Sequence, residues 1–123
     1  MHIYRIQDKF GRGPFKPGIT QKWIKEKRSN ADFPPFYIEF TDLPFLPGMG
    51  CGCKDIETLR KWFSEDEYLA LRNLGYEAVK LKVDKIMANG KNQCVFVRKT
   101  KFNKGAEVFA LYDSVSFVGI RFA

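Results

Sequence analysis

The prolines of this chain limit where regular structure can form. All six lie between Pro14 and Pro47, and the fixed φ angle and missing N–H of proline disfavour helix interiors and central strands. A regular core must therefore come from the opening residues and from the chain beyond residue 50. With 123 residues, the chain is long enough for one core, so we expect a single domain, 1–123, with a loop-rich segment at 11–50.

Two helices are predicted beyond residue 50 by the residues that cap them. Asp55 can cap a first helix, whose apolar residues recur at helical spacing. Ser64 followed by Glu67 is a capping box that begins a second helix, and Gly75 is placed to end it. The sequence therefore predicts a pair of short helices before the last third of the chain.

Strands are predicted on both sides of the helix pair. Residues 79–83 alternate between apolar and polar, which is typical of a strand with one solvated face. The other segments with strand composition are 2–6, 36–40, 93–98, 106–112 and 116–122. A short basic helix is expected at 20–28, and 85–90 is expected to be a connection that ends in a turn. This order predicts an α+β fold, a mainly antiparallel sheet with the helix pair on one face.

The charge and the cysteine content restrict the class of protein. Lys and Arg outnumber Asp and Glu by 21 to 14, and the net charge of +7 favours partners that carry phosphates or acidic surfaces. The three cysteines agree with a reducing compartment. No apolar run reaches the roughly 18 residues of a membrane span, and the chain opens without a signal-peptide pattern. We therefore expect a cytoplasmic protein with no membrane partner.

The opening strand contains a charge that needs a partner. Arg5 lies in the otherwise apolar run His2-Ile3-Tyr4-Arg5-Ile6. An unpaired guanidinium removed from water costs several kcal/mol, so it requires an anion. Either Asp8 or a ligand phosphate can supply that anion. Arg5 is therefore either a structural charge or the centre of a phosphate site.

The opening also resembles that of a known enzyme family. Tyr4-Arg5 followed by Asp8, Arg12 and Pro14 is similar to the first strand of the cholera-toxin-like ADP-ribosyltransferases. The resemblance implies an ADP-ribosyltransferase-like fold with NAD as cofactor. It also implies that the cofactor is bound by Tyr4, Arg5, Asp8 and Arg12, with Arg5 on the phosphates.

The second half of that family's site is replaced in this chain. In the family a Ser-Thr-Ser strand shapes the nicotinamide pocket and a later glutamate polarises the ribose. Gly50-Cys51-Gly52-Cys53 stands at the first position, and the catalytic position falls on Gln93 or, one strand later, on Glu107. A carboxylate stabilises the positive charge that develops on the ribose, whereas an amide can only hydrogen-bond. ADP-ribosyl transfer is therefore expected to be weak or absent if Gln93 holds the position, and possible if Glu107 does.

A second resemblance covers more of the chain. A Tyr4-Arg5-Ile6 opening combined with the helix motif Leu59-x-x-Trp62-Phe63 is similar to small uncharacterised phage and prophage proteins. This looser resemblance covers residues 49 to 98, where a Gly-rich strand leads into the helix and is followed by a strand that ends near Gln93. It implies a phage or mobile-element protein that acts in the cytoplasm of a host cell.

The cysteines allow two interpretations. Cys51, Cys53, Cys94 and His2 together have the three sulfurs and one nitrogen of a tetrahedral zinc site. The Cys-x-Cys spacing is unusual for such a site. In the other interpretation Cys94 packs within a strand, and Cys51 and Cys53 lie on opposite sides of an extended segment. The second interpretation is favoured, so no metal is assigned.

Basic residues interleaved with aromatic ones suggest binding to nucleic acid or to a partner protein. The first run contains Lys22, Trp23, Lys25, Lys27 and Arg28. The second contains Arg98, Lys99, Lys101, Phe102 and Lys104. Such runs suit phosphate contacts with base stacking, but they are also typical of solvated surfaces. Of these residues, we assign Lys22, Trp23, Lys25 and Arg28 to partner binding.

Three functional hypotheses follow. The first is an interaction protein on a transferase-like scaffold that uses 11–50 to inhibit or modify a host defence or nucleic-acid-handling complex. The second is an active NAD-dependent ADP-ribosyltransferase, and the third is a basic nucleic-acid-binding module. The first is favoured because the opening motif is present and the catalytic half is not. The position of Arg5 relative to Gln93 and Glu107 separates a phosphate ligand from a structural charge.

Overall fold

The computed structural model describes residues 1–14, 47–91 and 93–112. The elements found within these ranges are β1 (His2–Gln7), β2 (Met49–Gly52), α1 (Ile56–Trp62), α2 (Glu65–Asn73), β3 (Glu77–Lys82), β4 (Lys85–Asn89), β5 (Cys94–Val97) and β6 (Glu107–Phe109). The helix expected at 20–28 and the strands expected at 36–40 and 116–122 lie outside the described residues.

The strands form two antiparallel sheets of three strands each. The first sheet has the order β1-β3-β6 and the second the order β2-β5-β4. An isolated bridge joins them, because Tyr4 in β1 pairs with Cys53 just after β2. The N–H group of each residue donates to the carbonyl of the other at 2.7 Å. The outer edge of β1 is therefore tied to the end of β2, next to Arg5.

The alternation of side chains along β1 divides the core into two clusters. Ile6 and Ala78 lie in the cluster that contains the buried residues of both helices. Ile3 and Leu81 lie in the other cluster, with Cys94 and Phe96 of β5. The first sheet is thus covered by the helix pair on one face and by the second sheet on the other. The predicted α+β fold with helices on one face is confirmed, although the sheet is divided in two.

The predicted helix ends are confirmed by their hydrogen bonds. The Asp55 side chain accepts from the Thr58 N–H at 2.7 Å, and Ser64 and Glu67 form a complete capping box. Gly75 follows α2 with a φ of 95°, a conformation that glycine adopts without strain. Neither of the helices that the structure describes has the length and apolar composition needed to cross a membrane.

The connection expected at 85–90 is wrong, because β4 occupies most of it. The register of β4 against β5 shifts between Ile86 and Ala88, and such a bulge inserts a residue into the strand. The central residues of β4 are all half-buried, so the strand lacks the alternation by which a sequence indicates one. The strand expected at 106–112 is also shorter, with only Glu107–Phe109 paired to β3.

Candidate functional site

A cavity of about 320 Å³ lies where β1, β2 and α1 meet. It is lined by Arg5, Ile6, Gly13, Pro14, Cys51, Gly52, Cys53, Leu59, Trp62, Phe63 and Gln93. Arg5 and Gln93, which sequence reasoning assigned to the two halves of one site, therefore border the same space. The Arg5-Ile6 opening and the Leu59-x-x-Trp62-Phe63 motif also meet there.

The lining of the cavity is apolar except at a few positions. α1 and its C-terminal end contribute Leu59, Trp62 and Phe63, and all three side chains are buried. The charged and amide groups are Arg5 and Gln93, which are 9% and 8% exposed. A largely apolar space with a few convergent polar groups is the usual composition of a site for a small organic ligand.

The guanidinium of Arg5 lies over two aromatic rings that pack against each other, rather than against a carboxylate. Its Cζ atom is 5.1 Å from the ring centre of Phe102 and 5.6 Å from that of Phe96. Its Nε and Nη1 atoms are buried and have no hydrogen-bond acceptor among the described residues. No ion pair joins Arg5 to Asp8 or to any other carboxylate in the described ranges. The expected structural pair is therefore replaced by two cation–π contacts.

Two glycines leave room for this guanidinium. A Cβ atom on Gly50 would lie 2.9 Å from Nη1 of Arg5 and 2.8 Å from ring carbons of Phe96 and Phe102. A Cβ atom on Gly13 would lie 3.3 Å from Nη2. Gly50 begins the Gly50-Cys51-Gly52-Cys53 segment. Its missing side chain provides the space that Arg5 occupies.

Burial dominates the electrostatics of Arg5. Loss of water lowers the pKa of Arg5 to about 10, and the charges of the Cys51 thiolate and the Asp8 carboxylate oppose this effect. Arg5 therefore remains protonated at neutral pH. Since one pKa unit corresponds to about 1.4 kcal/mol, keeping the charge in the fold costs on the order of 3 kcal/mol.

Asp8 and Arg12 shape the turn after β1. The Oδ1 atom of Asp8 accepts from the N–H groups of Phe10 and Arg12, both at 2.9 Å. The guanidinium of Arg12 lies over the exposed ring of Phe10, 4.9 Å from its centre. Neither Asp8 nor Arg12 lines the cavity. Asp8 thus holds the turn, and its charge acts on Arg5.

Tyr4 and Glu107 lie on the face of the first sheet opposite to that of Arg5. Both residues pair with Lys80, and directly paired residues project to the same face, opposite to that of their neighbours in sequence. The Tyr4 ring packs edge-on against Phe109 at 5.6 Å. Glu107 is exposed. Of the two candidate catalytic residues, Gln93 is therefore the one that lines the cavity with Arg5.

The cysteines divide between the cavity and the core. Cys51 and Cys53 both line the cavity, so the expectation that they lie on opposite sides is wrong; residues two apart in an extended segment share a face. The Cys94 thiol is buried and donates to the Gly52 carbonyl at 3.4 Å. His2 is exposed at the start of β1. The described ranges contain no group of three or more His, Cys, Asp or Glu that could hold a metal ion.

The sequence profile of the bacteriophage T4 Y00F protein family matches residues 1–107. The chain belongs to this family. The prediction of a small phage protein, made from the opening and from the Leu59-x-x-Trp62-Phe63 motif, is confirmed, and both motifs lie within the matched range. No curated protein and no solved structure matches the chain. The comparisons therefore show no similarity to ADP-ribosyltransferases.

The second basic run of this Y00F-family protein has structural contacts. The Phe102 ring packs against Phe96 with 5.0 Å between ring centres, and it also covers Arg5. The guanidinium of Arg98 donates to three backbone carbonyls, those of Lys82, Lys101 and Lys104. Phe102 and Arg98 are therefore committed to the fold. The first run, Lys22, Trp23, Lys25 and Arg28, lies outside the described residues.

Sequence reasoning missed the residues that enclose Arg5. Gln7 is 2% exposed, and its Nε2 atom donates to the Phe102 carbonyl at 2.9 Å, which fixes Phe102 against the guanidinium. Gln7 follows Arg5 by two residues, so the alternation of β1 could have indicated that the two share a face. Phe96 and Phe102 gave no comparable signal, because their proximity to Arg5 depends on the packing of the two sheets.

Proposed function

We propose that this phage protein binds a nucleotide through a phosphate at Arg5, that NAD or a related nucleotide is the ligand, and that the protein does not transfer ADP-ribose. The observation that carries the proposal is that Arg5 and Gln93 both line one cavity. The Nε and Nη1 atoms of Arg5 have no acceptor among the described residues. A phosphate oxygen is a strong acceptor for such donors, since charge-assisted hydrogen bonds are about twice as strong as neutral ones.

The energetics of Arg5 support a ligand. A buried cation without a bonded carboxylate costs on the order of 3 kcal/mol, as its pKa of about 10 indicates. This cost in folding free energy brings no benefit unless the charge binds a ligand. A phosphate bound at the guanidinium neutralises it in a site already shielded from water, where the attraction is stronger than at a surface.

The size and the walls of the cavity support a nucleotide rather than a free inorganic anion. A volume of about 320 Å³ is near the lower end of ligand pockets, which span roughly 300 to 1,000 Å³. This space suits one aromatic ring with an attached phosphate or sugar, so a dinucleotide would place only part of itself inside. Trp62 and Phe63 supply apolar surface to the cavity, and the amide of Gln93 can both donate and accept hydrogen bonds.

The absence of transfer follows from the chemistry at residue 93. Cleavage of the nicotinamide bond builds positive charge on the ribose, and a neutral amide cannot stabilise that charge as a carboxylate does. Glu107, the alternative carboxylate, projects to the face of the first sheet opposite to Arg5. The protein is therefore a binder, and the active transferase is the less favoured alternative.

Calorimetric titration of the full chain with NAD, ADP-ribose and inorganic phosphate tests the proposal. We expect NAD or ADP-ribose to bind more tightly than phosphate, and Arg5→Met to abolish binding. Arg12→Met is the matched control, because Arg12 carries the same charge but is exposed and does not line the cavity. Binding that survives Arg5→Met, or that is lost equally in Arg12→Met, would contradict the proposal, as would the failure of both nucleotides to bind.

We also infer a target in the host cytoplasm, either a host protein or a nucleoprotein complex of defence or nucleic-acid handling. The phage family and the net charge of +7 support this inference. Partner binding is assigned to 11–50 and especially to Lys22, Trp23, Lys25 and Arg28. Nucleic acid itself is the alternative partner, and it requires binding to generic DNA or RNA that weakens steeply with salt. A flat salt response would exclude that alternative.

A further inference from the structure

We propose that the turn after β1 and the loop after β5 form a surface that binds single-stranded nucleic acid, with Phe10 stacking on a base and the surrounding cations contacting phosphates. This loop surface consists of Lys9, Phe10, Arg12, Lys101 and Lys104. None of these residues lines the cavity. The inference therefore goes beyond nucleotide binding at Arg5 and does not depend on it.

Phe10 is an aromatic residue that is exposed to solvent and surrounded by cations. It is 58% exposed, although it lies in a turn that Asp8 fixes by accepting from the N–H groups of Phe10 and Arg12. The Nζ atom of Lys9 is 5.1 Å from the centre of the Phe10 ring, and the Cζ atom of Arg12 is 4.9 Å from it. An accessible ring beside positive charges is the combination with which proteins bind single strands.

The loop after β5 adds two more cations to this surface. The Nδ2 atom of Asn103 donates to the Lys9 carbonyl at 3.0 Å. A Cβ atom on Gly11 would lie 3.0 Å from the backbone nitrogen of Asn103. Lys101 and Lys104 are close to Asn103 in sequence, and both are exposed. The fold thus brings two basic segments together that are far apart in the chain.

Arg98 holds the loop after β5 in a defined conformation. Its guanidinium donates to the carbonyls of Lys101 and Lys104, and the Lys104 N–H donates to the Lys101 carbonyl at 3.1 Å. These bonds use the backbone of the two lysines, whose side chains are exposed. A surface that is already ordered loses less conformational entropy when it binds a ligand.

Phe10 takes the role that the sequence pattern gives to Phe102. The Phe102 ring packs against Phe96 and lies over Arg5, so it is committed to the interior of the protein. Phe10 comes from the other end of the chain. Only the fold places it beside the lysines of the second basic run.

The charges and the ring together favour a single strand over other acidic partners. No Asp or Glu occurs within 9–14 or 98–105, so both segments attract phosphates. An acidic protein surface would satisfy the cations, but a base also uses the face of the ring, because base–aromatic stacking contributes affinity whatever the sequence. The bases of a duplex are already stacked on each other, whereas those of a single strand are accessible.

Fluorescence anisotropy of the full chain with a labelled single strand of about 12 nucleotides tests the proposal. Phe10→Leu is expected to weaken binding by at least about fivefold, because the stacking of one base is lost, and Phe10→Tyr is expected to retain binding. Leu74→Ala is the matched control, since Leu74 is 55% exposed but follows α2. A strand of the same length without bases is expected to bind more weakly and to be unaffected by Phe10→Leu.

The salt dependence of binding tests the cations. For single strands the logarithm of the binding constant falls with the logarithm of the salt concentration by about 0.7 for each phosphate contacted, so four contacts predict a slope of about −3. Arg12→Met and Lys104→Met are each expected to reduce the slope by about 0.7. Lys91→Met is the control, because Lys91 is exposed and precedes β5, whereas the loop follows it.

Three results would overturn the proposal. They are an affinity for the single strand that Phe10→Leu leaves unchanged, a flat response to salt, and tighter binding of duplex DNA or polyglutamate than of the single strand. Phe10→Leu is expected to leave the affinity for NAD unchanged, because Phe10 does not line the cavity. The two ligands are therefore measured separately, and failure at one surface is distinguishable from failure at the other.

Discussion

Replacing Arg5 with methionine is expected to stabilise the protein. The substitution keeps an unbranched side chain of similar length and removes the charge, whose burial costs on the order of 3 kcal/mol. The same change loses the cation–π contacts to Phe96 and Phe102, each of which contributes about 0.5 to 1 kcal/mol or somewhat more when desolvated. A methionine sulfur retains part of the contact with the two rings. The net expectation is a gain in the free energy of unfolding of about 1 kcal/mol.

The pH dependence of this gain follows from the direction of the pKa change. The pKa of Arg5 in the folded protein is lowered to about 10, below that of the unfolded chain, so the protonated side chain disfavours folding. This effect is complete below the folded pKa and declines only as the pH rises above it. The difference in stability between Arg5→Met and the wild type is therefore expected to be present at neutral pH and to decline as the pH rises above about 10.

Urea denaturation and thermal denaturation, each followed by circular dichroism, measure this difference in the free energy of unfolding. A gain of about 1 kcal/mol corresponds to an increase in melting temperature of roughly 4 °C for a chain of this size. Arg12→Met is the control, since substitution of an exposed side chain is expected to change stability by no more than about 0.5 kcal/mol. A loss of 2 kcal/mol or more in Arg5→Met would show that Arg5 is a structural residue and would refute the reasoning.

Two further substitutions test the surroundings of Arg5. Gly50→Ala is expected to lower the free energy of unfolding by about 1 to 3 kcal/mol, because its Cβ would lie 2.8 Å from two aromatic rings. Gly75→Ala is the control. Its Cβ would meet nothing within 4 Å and only its φ of +95° is strained, so it is expected to lower the free energy of unfolding less in the same assay. Gln93→Glu is expected to weaken NAD binding at least tenfold in calorimetry, because a carboxylate at the cavity would compete with the phosphate for Arg5. An unchanged affinity for NAD would contradict the assignment of Gln93 to the site.

The helix pair could be predicted from sequence because its signals are local. The Asp55 cap and the Ser64–Glu67 capping box both join residues three apart, so the sequence contains the whole interaction. The strand β4 could not be predicted in the same way. Its bulge near Ile86 makes its burial depend on pairing with β5, which lies beyond the turn at Gly90.

The candidate site was predictable only in part, for a similar reason. Arg5 was found because a charge in an apolar strand is unusual at the level of a few residues. Its enclosure was not found, since Gln7 and the Phe102 carbonyl are 95 residues apart in the chain. Arg5 and Gln93 line one cavity where the bridge between Tyr4 and Cys53 joins the two sheets, a contact that no local pattern indicates.

The proposed distinction between nucleotide binding and ADP-ribosyl transfer depends on which charged side chains reach the cavity. A shift of one residue in the pairing of β6 would bring Glu107 to the face of Arg5, but it would also move every other β6 side chain to the opposite face and remove Phe109 from its contact with Tyr4. A carboxylate at residue 93 avoids that rearrangement, yet at the same cavity it would pair with the guanidinium that the phosphate needs. Under the proposed function, the charge of Arg5 is left for an incoming anion because Gln93, which lines the same cavity, is neutral.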